Sequence, residues 1–298
     1  MDILLSTGSL TPRNFPDVAS IARRAGADGL EVMLNGRLHA EGPERAHRIA
    51  EAHGVPICSI HPPLRFVRAA QHVHDDMLRS AEYAAALPEC RTLVMHAVGG
   101  PGLHTERGRA FFQTINAVTT ILKRNGARLA VENRGTVQPQ PRLDFLDKLH
   151  NLYRVCEEWD LDITFDTSHA ASFGLHIVPS VDVVFPRLTN IHFSDRREEP
   201  PSIASGLVNS LTREHQLPGS GVLPLDLMLQ RLHARGYHGA ITLELSPLAV
   251  ASWSEKRCVE RVANAVAFVR DHFADAHKST THRTPSSRRT PTPAENDF

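Results

Sequence analysis

The sequence predicts an α/β fold, a (β/α)8 TIM barrel in a single domain with a disordered C-terminal tail. Three observations carry that prediction. Eight short β-rich runs alternate with amphipathic stretches over most of the 298 residues, the rhythm of a closed parallel barrel. Several of the amphipathic stretches stop at a glycine shortly before the next strand, at Gly26, Gly54, Gly126 and Gly236, where a left-handed residue ends a helix without a Cβ clash. No glycine-rich phosphate loop follows the first strand: STGSLTP lacks G-x-G-x-x-G spacing, which argues against a doubly wound dinucleotide-binding sheet.

In chain order, the first strand is DILLST from Asp2, followed by the helical stretch FPDVASIARRAGA, whose apolar residues return every three or four positions. The second and third strands are DGLEVML from Asp28 and PICSIHPP from Pro56. DDMLRSAEYAAAL then leads to TLVMHAV from Thr92, and FFQTINAVTTILKRNGA to RLAVEN from Arg128. DITFDTS from Asp162 and LTNIHFSD from Leu188 give strands six and seven, and LDLMLQRLHARGYHG precedes the last, AITLELSP from Ala240. A final helix around EKRCVERVANAVAFVRDHF carries Val259, Val262, Val266 and Val269 at helical spacing and is expected to close the barrel. The barrel domain spans 1–275. From 276 to 298 the chain turns rich in Ser, Thr, Pro and Arg without periodicity, as expected of a disordered tail.

Composition excludes several function classes. The formal charge is zero, 33 basic against 33 acidic residues, so no global field favours nucleic acid or an anionic membrane. Cys58, Cys90, Cys156 and Cys258 are widely spaced with no C-x-x-C pair, which suggests neither a disulfide scaffold nor a zinc ribbon and points to a reducing, cytoplasmic setting. MDILLSTGSL is too short an apolar run for a signal peptide, and no window approaches membrane-spanning length. The one oddity is 18 histidines.

The polar residues at the strand ends form a pattern. His61 ends strand three, His96 strand four, Glu132 strand five and Asp166 strand six, with His169 three positions on; His192 and Asp195 end strand seven, and Glu244 strand eight. A parallel barrel brings all strand C-termini to one face, so these side chains converge on one mouth. Taken singly, each histidine reads as a hydrogen-bonded rim residue, and Asp166 or Asp195 as a helix cap. Glu132 and Glu244 resist that reading, because each interrupts an apolar strand where an unpaired buried carboxylate would cost several kcal/mol. Arg134 neutralising one glutamate and Arg196 one aspartate would give an ion-pair network, but leaves the remaining acids and histidines unexplained. A divalent metal uses them together: the oxygen-rich set suits Mn²⁺, Mg²⁺ or Co²⁺, and further imidazoles move the preference toward Zn²⁺.

The motifs SIHPP, LVMHAVGG, LAVEN, FDTSHA, NIHFSD, HQLPGSGVLPL and ITLELSP, in this order and each at its strand end, resemble the xylose isomerase-like TIM barrel superfamily. That superfamily holds sugar and sugar phosphate isomerases and epimerases, and endonuclease IV-type abasic-site nucleases. For the epimerase branch the resemblance implies one divalent ion on Glu132, Asp166, His192 and Glu244. His169 is then a substrate contact. For the nuclease branch it implies three zincs, with His61, His96 and His215 as additional ligands and an aspartate two residues before the last. Here that place is Arg213, and a glutamate often found in the glycine pair of this loop is Ser220. A permanently cationic guanidinium cannot ligate zinc.

The resemblance therefore implies a metal-dependent sugar or polyol isomerase or epimerase that moves a proton through a metal-stabilised enediolate. Glu132 and Glu244 are its candidate acid and base, and His169, Arg134, His61 and His96 its candidate substrate contacts. Glu31, Asp195 and Arg196 are further candidate contacts, each with an equally good ion-paired or solvated reading. The alternative is a zinc phosphodiesterase acting on abasic DNA. It would need a basic face and groove-entering side chains, and no basic cluster flanks the rim motifs, so the expected partner is a small molecule, not nucleic acid or membrane. A homo-oligomer is compatible with the sequence.

Overall fold

β-Branched and aliphatic runs of five or so residues form eight parallel strands. These are β1 (Asp2–Ser6), β2 (Gly29–Met33), β3 (Ile57–His61), β4 (Thr92–His96), β5 (Arg128–Glu132), β6 (Asp162–Asp166), β7 (Leu188–Phe193) and β8 (Ala240–Leu243). In the computed structural model they close in sequence order, β8 pairing with β1. Residues 1–64, 70–136, 142–198, 208 and 211–274 are described; the tail expected over 276–298 lies outside them. Among the described residues the α-helices include α1 (Phe15–Ala25), α2 (Gly36–Glu41), α3 (Pro43–His53), α4 (Ala70–Ala85), α5 (Glu106–Leu122), α6 (Leu149–Glu158), α7 (Thr167–Ser172), α8 (Ile177–Val184), α9 (Leu225–Ala234) and α10 (Glu255–Ala274). Gly26 and Gly54 end α1 and α3 in the left-handed conformation, with φ of 80° and 65°. No helix among the described residues is long and apolar enough to cross a membrane.

The hydrophobic core lies between barrel and helices. Ile3, Leu5, Leu30, Val32, Ile191, Phe193, Ile241 and Leu243 turn outward from the strands. They meet helix faces such as Phe15, Val18, Ile21 and Ala22 of α1, and Val262, Val266 and Val269 of α10. Helix α10 packs against α1 and α9 and so bridges the end of the chain to its beginning. All four cysteines are free and buried.

A polar network crosses the inside of the barrel. Glu31 on β2 accepts from Ser59 Oγ on β3 (2.8 Å) and from Asn190 Nδ2 on β7 (3.1 Å), and Asn190 accepts from Thr242 Oγ1 on β8 (2.9 Å). β2 and β7 are not neighbours, so this network crosses the interior beneath the mouth. Two register irregularities set it up. β2 pairs Leu30 with Ile57 but Glu31 with Ser59, and β6 pairs Ile163 with Leu188 but Thr164 with Asn190. Because side chains alternate faces along a strand, an unshifted register would set Asp166 level with Ile191; the shift sets it level with His192.

Candidate functional site

Glu132 ends β5, Asp166 ends β6, His192 lies in β7 and Glu244 follows β8 by one residue. The barrel gathers them at one mouth, where a ligating atom of each lies within 4.8 Å of those of the others. Nδ1 of His192 is 2.7 Å from Oε2 of Glu244, 3.2 Å from Oε1 of Glu132 and 3.9 Å from Oδ2 of Asp166. Those four atoms and Oε2 of Glu132 are buried and make no well-aligned hydrogen bond. Buried polar atoms left this way cost about 1–3 kcal/mol each. A divalent cation would satisfy all of them at once, so the residues present fit a metal of the oxygen-rich class.

The atoms that face the centre are aimed by hydrogen bonds behind them. Asp166 caps α7 by accepting the His169 amide on Oδ1 at 2.6 Å, which leaves Oδ2 for the centre. Asn133 clamps the ends of β5 and β6, accepting the Asp166 amide at 2.8 Å and donating to its carbonyl at 3.1 Å. Nε2 of His192 faces Glu31, 3.0 Å from Oε1. Nδ1 of His61 donates to the Pro62 carbonyl at 2.7 Å, so its Nε2 faces Glu132 Oε2 at 3.6 Å. Nδ1 of His96 lies 3.3 Å from the same oxygen. Nδ1 of His169 lies 3.0 Å from Glu132 Oε1 and 3.1 Å from the Asn133 carbonyl.

Two further donor groups adjoin the first. One is His61, His96 and Glu132; the other is Asp166, His169 and His215, and in each a ligating atom per residue falls within 4.8 Å of its fellows. Ionisation follows from this crowding. Burial pushes Glu132 up, but His96, His192 and His169 outweigh it and hold the carboxyl well below its usual range. Burial opposes a charged His192, but Glu31, Glu244 and Glu132 keep the ring well above its usual value. Burial likewise opposes a charged His169, and Asp166 and Glu132 raise it to about 10. Asp166 goes the other way, its burial outweighing His169 and His215.

The cations at the rim are used elsewhere, so the alternative of an Arg134 and Arg196 ion-pair network does not describe the site. Arg134 binds Asp147 through Nε at 2.9 Å and Nη2 at 2.6 Å, and Asp144 through Nη2 at 2.8 Å, not a strand-end glutamate. Nη1 of Arg196 donates to the Ala171 carbonyl. Asp195 spends both oxygens on backbone, accepting from the amides of Arg196, Leu223 and Gly221. Arg213 donates to the carbonyls of Arg197 and Glu198. Among the described residues, histidines, not arginines, therefore lie against Glu132, Asp166 and Glu244. Glu31, a candidate substrate contact on sequence, is wholly buried and instead holds His192. The signal that singles out Glu132 and Glu244, an acid inside an apolar strand, is present in GLEVM as well. Asn133 and Asn190 carried no such signal.

An uncharacterized protein of Mycobacterium tuberculosis is 26% identical over 299 residues, covering 90% of this chain and 96% of that protein. The inosose isomerase of Halalkalibacterium halodurans is 25% identical over 144 residues, 48% of each chain. Among solved structures, a D-tagatose 3-epimerase-like protein shares the fold with a TM-score of 0.70 at 18% identity, covering 94% of this chain and all 100% of that one. The IOLI protein, solved with a zinc atom, shares it with a TM-score of 0.65 at 13% identity, covering 95% and 100%. The sequence model of one family matches residues 19–275, nearly the whole barrel, and with the closed eight-stranded fold it identifies this chain as a member of the xylose isomerase-like TIM barrel family.

Proposed function

We propose that the protein is a divalent-metal-dependent isomerase or epimerase of a sugar or related polyol. One observation carries the reading: Glu132 and Glu244, from strands three apart in the barrel, place carboxylate oxygens 3.2 and 2.7 Å from the same nitrogen of His192. Two carboxylates meeting at one point are the equipment for removing a proton on one side of a carbon and returning it on the other. Glu132, Asp166, His192 and Glu244 would hold the ion. When bound, it supplies the Lewis acidity that makes a C–H beside a carbonyl acidic.

The chain's own side chains do the rest. One glutamate takes the proton and the other returns it. His169, whose Nδ1 faces the Asn133 carbonyl and the carboxylates, has Nε2 left to orient a substrate hydroxyl. The family and the named isomerase and epimerase relatives support the same class. Four buried thiols without disulfides suit a reducing cytoplasm.

The test is incubation with Mn²⁺ and a panel of ketoses in deuterated water. Label should enter at the carbon next to the carbonyl, and Glu244→Gln should abolish it while the protein stays folded. The donor groups around His61 and His215 favour a second reading, a zinc phosphodiesterase on abasic DNA. Arg213 counts against it, since it stands where an acidic ligand of the third zinc is expected and turns to backbone carbonyls. Chelator-sensitive nicking of an abasic duplex with no label in any sugar would decide for the nuclease.

A further inference from the structure

Glu31 has no part in the chemistry proposed above, yet it is as deeply buried as Glu132. No lysine or arginine pairs with it among the described residues. Its neighbours are donors: Ser59 Oγ at 2.8 Å, Asn190 Nδ2 at 3.1 Å, and Nε2 of His192 at 3.0 Å from Oε1 and 3.2 Å from Oε2. Nε2 is the His192 nitrogen within hydrogen-bond distance of both Glu31 oxygens, so it is the one that donates to Glu31. An ion held by the other acids would then take the lone pair of Nδ1, the atom that faces Glu132, Asp166 and Glu244.

We propose that Glu31 is a positioning residue for the metal centre: by holding Nε2–H of His192 it fixes the ring's orientation and tautomer and presents Nδ1 to the ion. The inference rests on the metal half of the proposed function and not on the sugar chemistry. The geometry is built for it. The register shift at Leu30/Glu31 sets Glu31 level with Ser59, and Asn190 is itself fixed by Thr242, so parts of β2, β3, β7 and β8 converge on one carboxylate. A histidine ligand backed by a carboxylate binds metal more tightly, because the ring is pre-aimed and more basic; losing the backing residue costs about tenfold to a hundredfold in affinity.

The test uses the full-length chain and two probes, Zn²⁺ and Mn²⁺. In the Zn²⁺-loaded protein labelled with ¹⁵N-histidine, long-range proton–nitrogen correlation should show His192 metal-bound through Nδ1 and protonated on Nε2. Glu31→Gln keeps the size of the side chain but removes its charge. It should weaken Mn²⁺ binding by about tenfold or more, measured on variant protein that circular dichroism shows to be folded. Co²⁺ absorption bands of the variant should shift, which a purely structural role would not cause. If Glu31→Gln does not fold, the wild-type correlation still decides. His192 bound through Nε2, or a folded Glu31→Gln that binds Mn²⁺ within about twofold of wild type, overturns the proposal and leaves the metal centre standing. A wild type that binds neither ion overturns both. Failure of every sugar to react touches only the proposed activity.

Discussion

Nδ1 of His192 and Oε2 of Glu244 meet at 2.7 Å, one inside β7 and the other just past the end of β8. The two strands are hydrogen-bonded neighbours with His192 level with Thr242, so the contact reaches forward by two residues to the rim. It joins the inner polar network to the barrel mouth, and the expected behaviour of the site follows from what surrounds it.

Mn²⁺ should stabilise the fold. A ligand that binds only the native state adds about 2.7 kcal/mol at a hundred times its dissociation constant, which for a chain of this size raises the melting temperature by roughly 5 °C. Differential scanning fluorimetry after chelator treatment reads it directly. Glu132→Gln and Asp166→Asn should lose most of the shift, since each removes a donor whose orphaned oxygens face the centre.

Metal affinity should fall as the pH falls. In the ion-free site burial opposes a charged His192, but Glu31, Glu244 and Glu132 prevail and hold the ring well above its usual value. The ring is therefore protonated at neutral pH, and an ion must displace a proton to bind. The sign is fixed: affinity rises with pH, by about tenfold per unit for each proton displaced, and levels off only above the raised value. Calorimetry of Mn²⁺ binding in buffers of different ionisation enthalpy counts the protons, and zero released would contradict the arrangement described.

Gly135→Ala should damage the site although Gly135 is itself exposed. A Cβ there would come 2.4 Å from Cδ2 of His169, so the ring must move or the loop must yield. Overpacking of this kind costs about 1–3 kcal/mol. The expected result is a modest loss in urea stability together with a rise in KM, because His169 is the displaced group. An unchanged KM would remove His169 from the substrate contacts.

Arg134→Ala should act on stability before it acts on substrate. Its guanidinium neutralises Asp147, whose side chain is fully buried, and shares Asp144. Removing one partner of a buried pair costs about 3 kcal/mol, the lower end of the range, since Arg134 is partly exposed. Chemical denaturation measures this. A variant of wild-type stability with a raised KM would instead make Arg134 a substrate contact.

Truncation after Ala276 should leave melting temperature and metal content unchanged. The segment's Ser, Thr, Pro and Arg offer too little apolar surface to offset the entropy of ordering them. A large loss of either quantity would show that the segment packs on the barrel.

The amino-acid sequence by itself determined the alternation of strands and helices, and with it the barrel, because apolar periodicity and glycine stops are local properties. It also placed His61, His96, Glu132, Asp166, His192 and Glu244 at strand ends, and a parallel barrel needs nothing more to bring strand ends to one face. Helices α7 and α8, between β6 and β7, were not legible: six and eight residues are too few for a period to declare itself. What only the tertiary structure decided lies across the barrel. The register shift before Thr164 depends on pairing between β6 and β7, and a slip of one residue would have turned Asp166 level with an outward-facing Ile191. Whether Arg134 meets the glutamate that ends β5 or aspartates ten and thirteen residues on depends on where Asp144 and Asp147 stand in the fold. Glu31 and His192 stand 161 positions apart in the chain, and only closure of the barrel turns an isolated acid in GLEVM into the partner of a histidine on the far side.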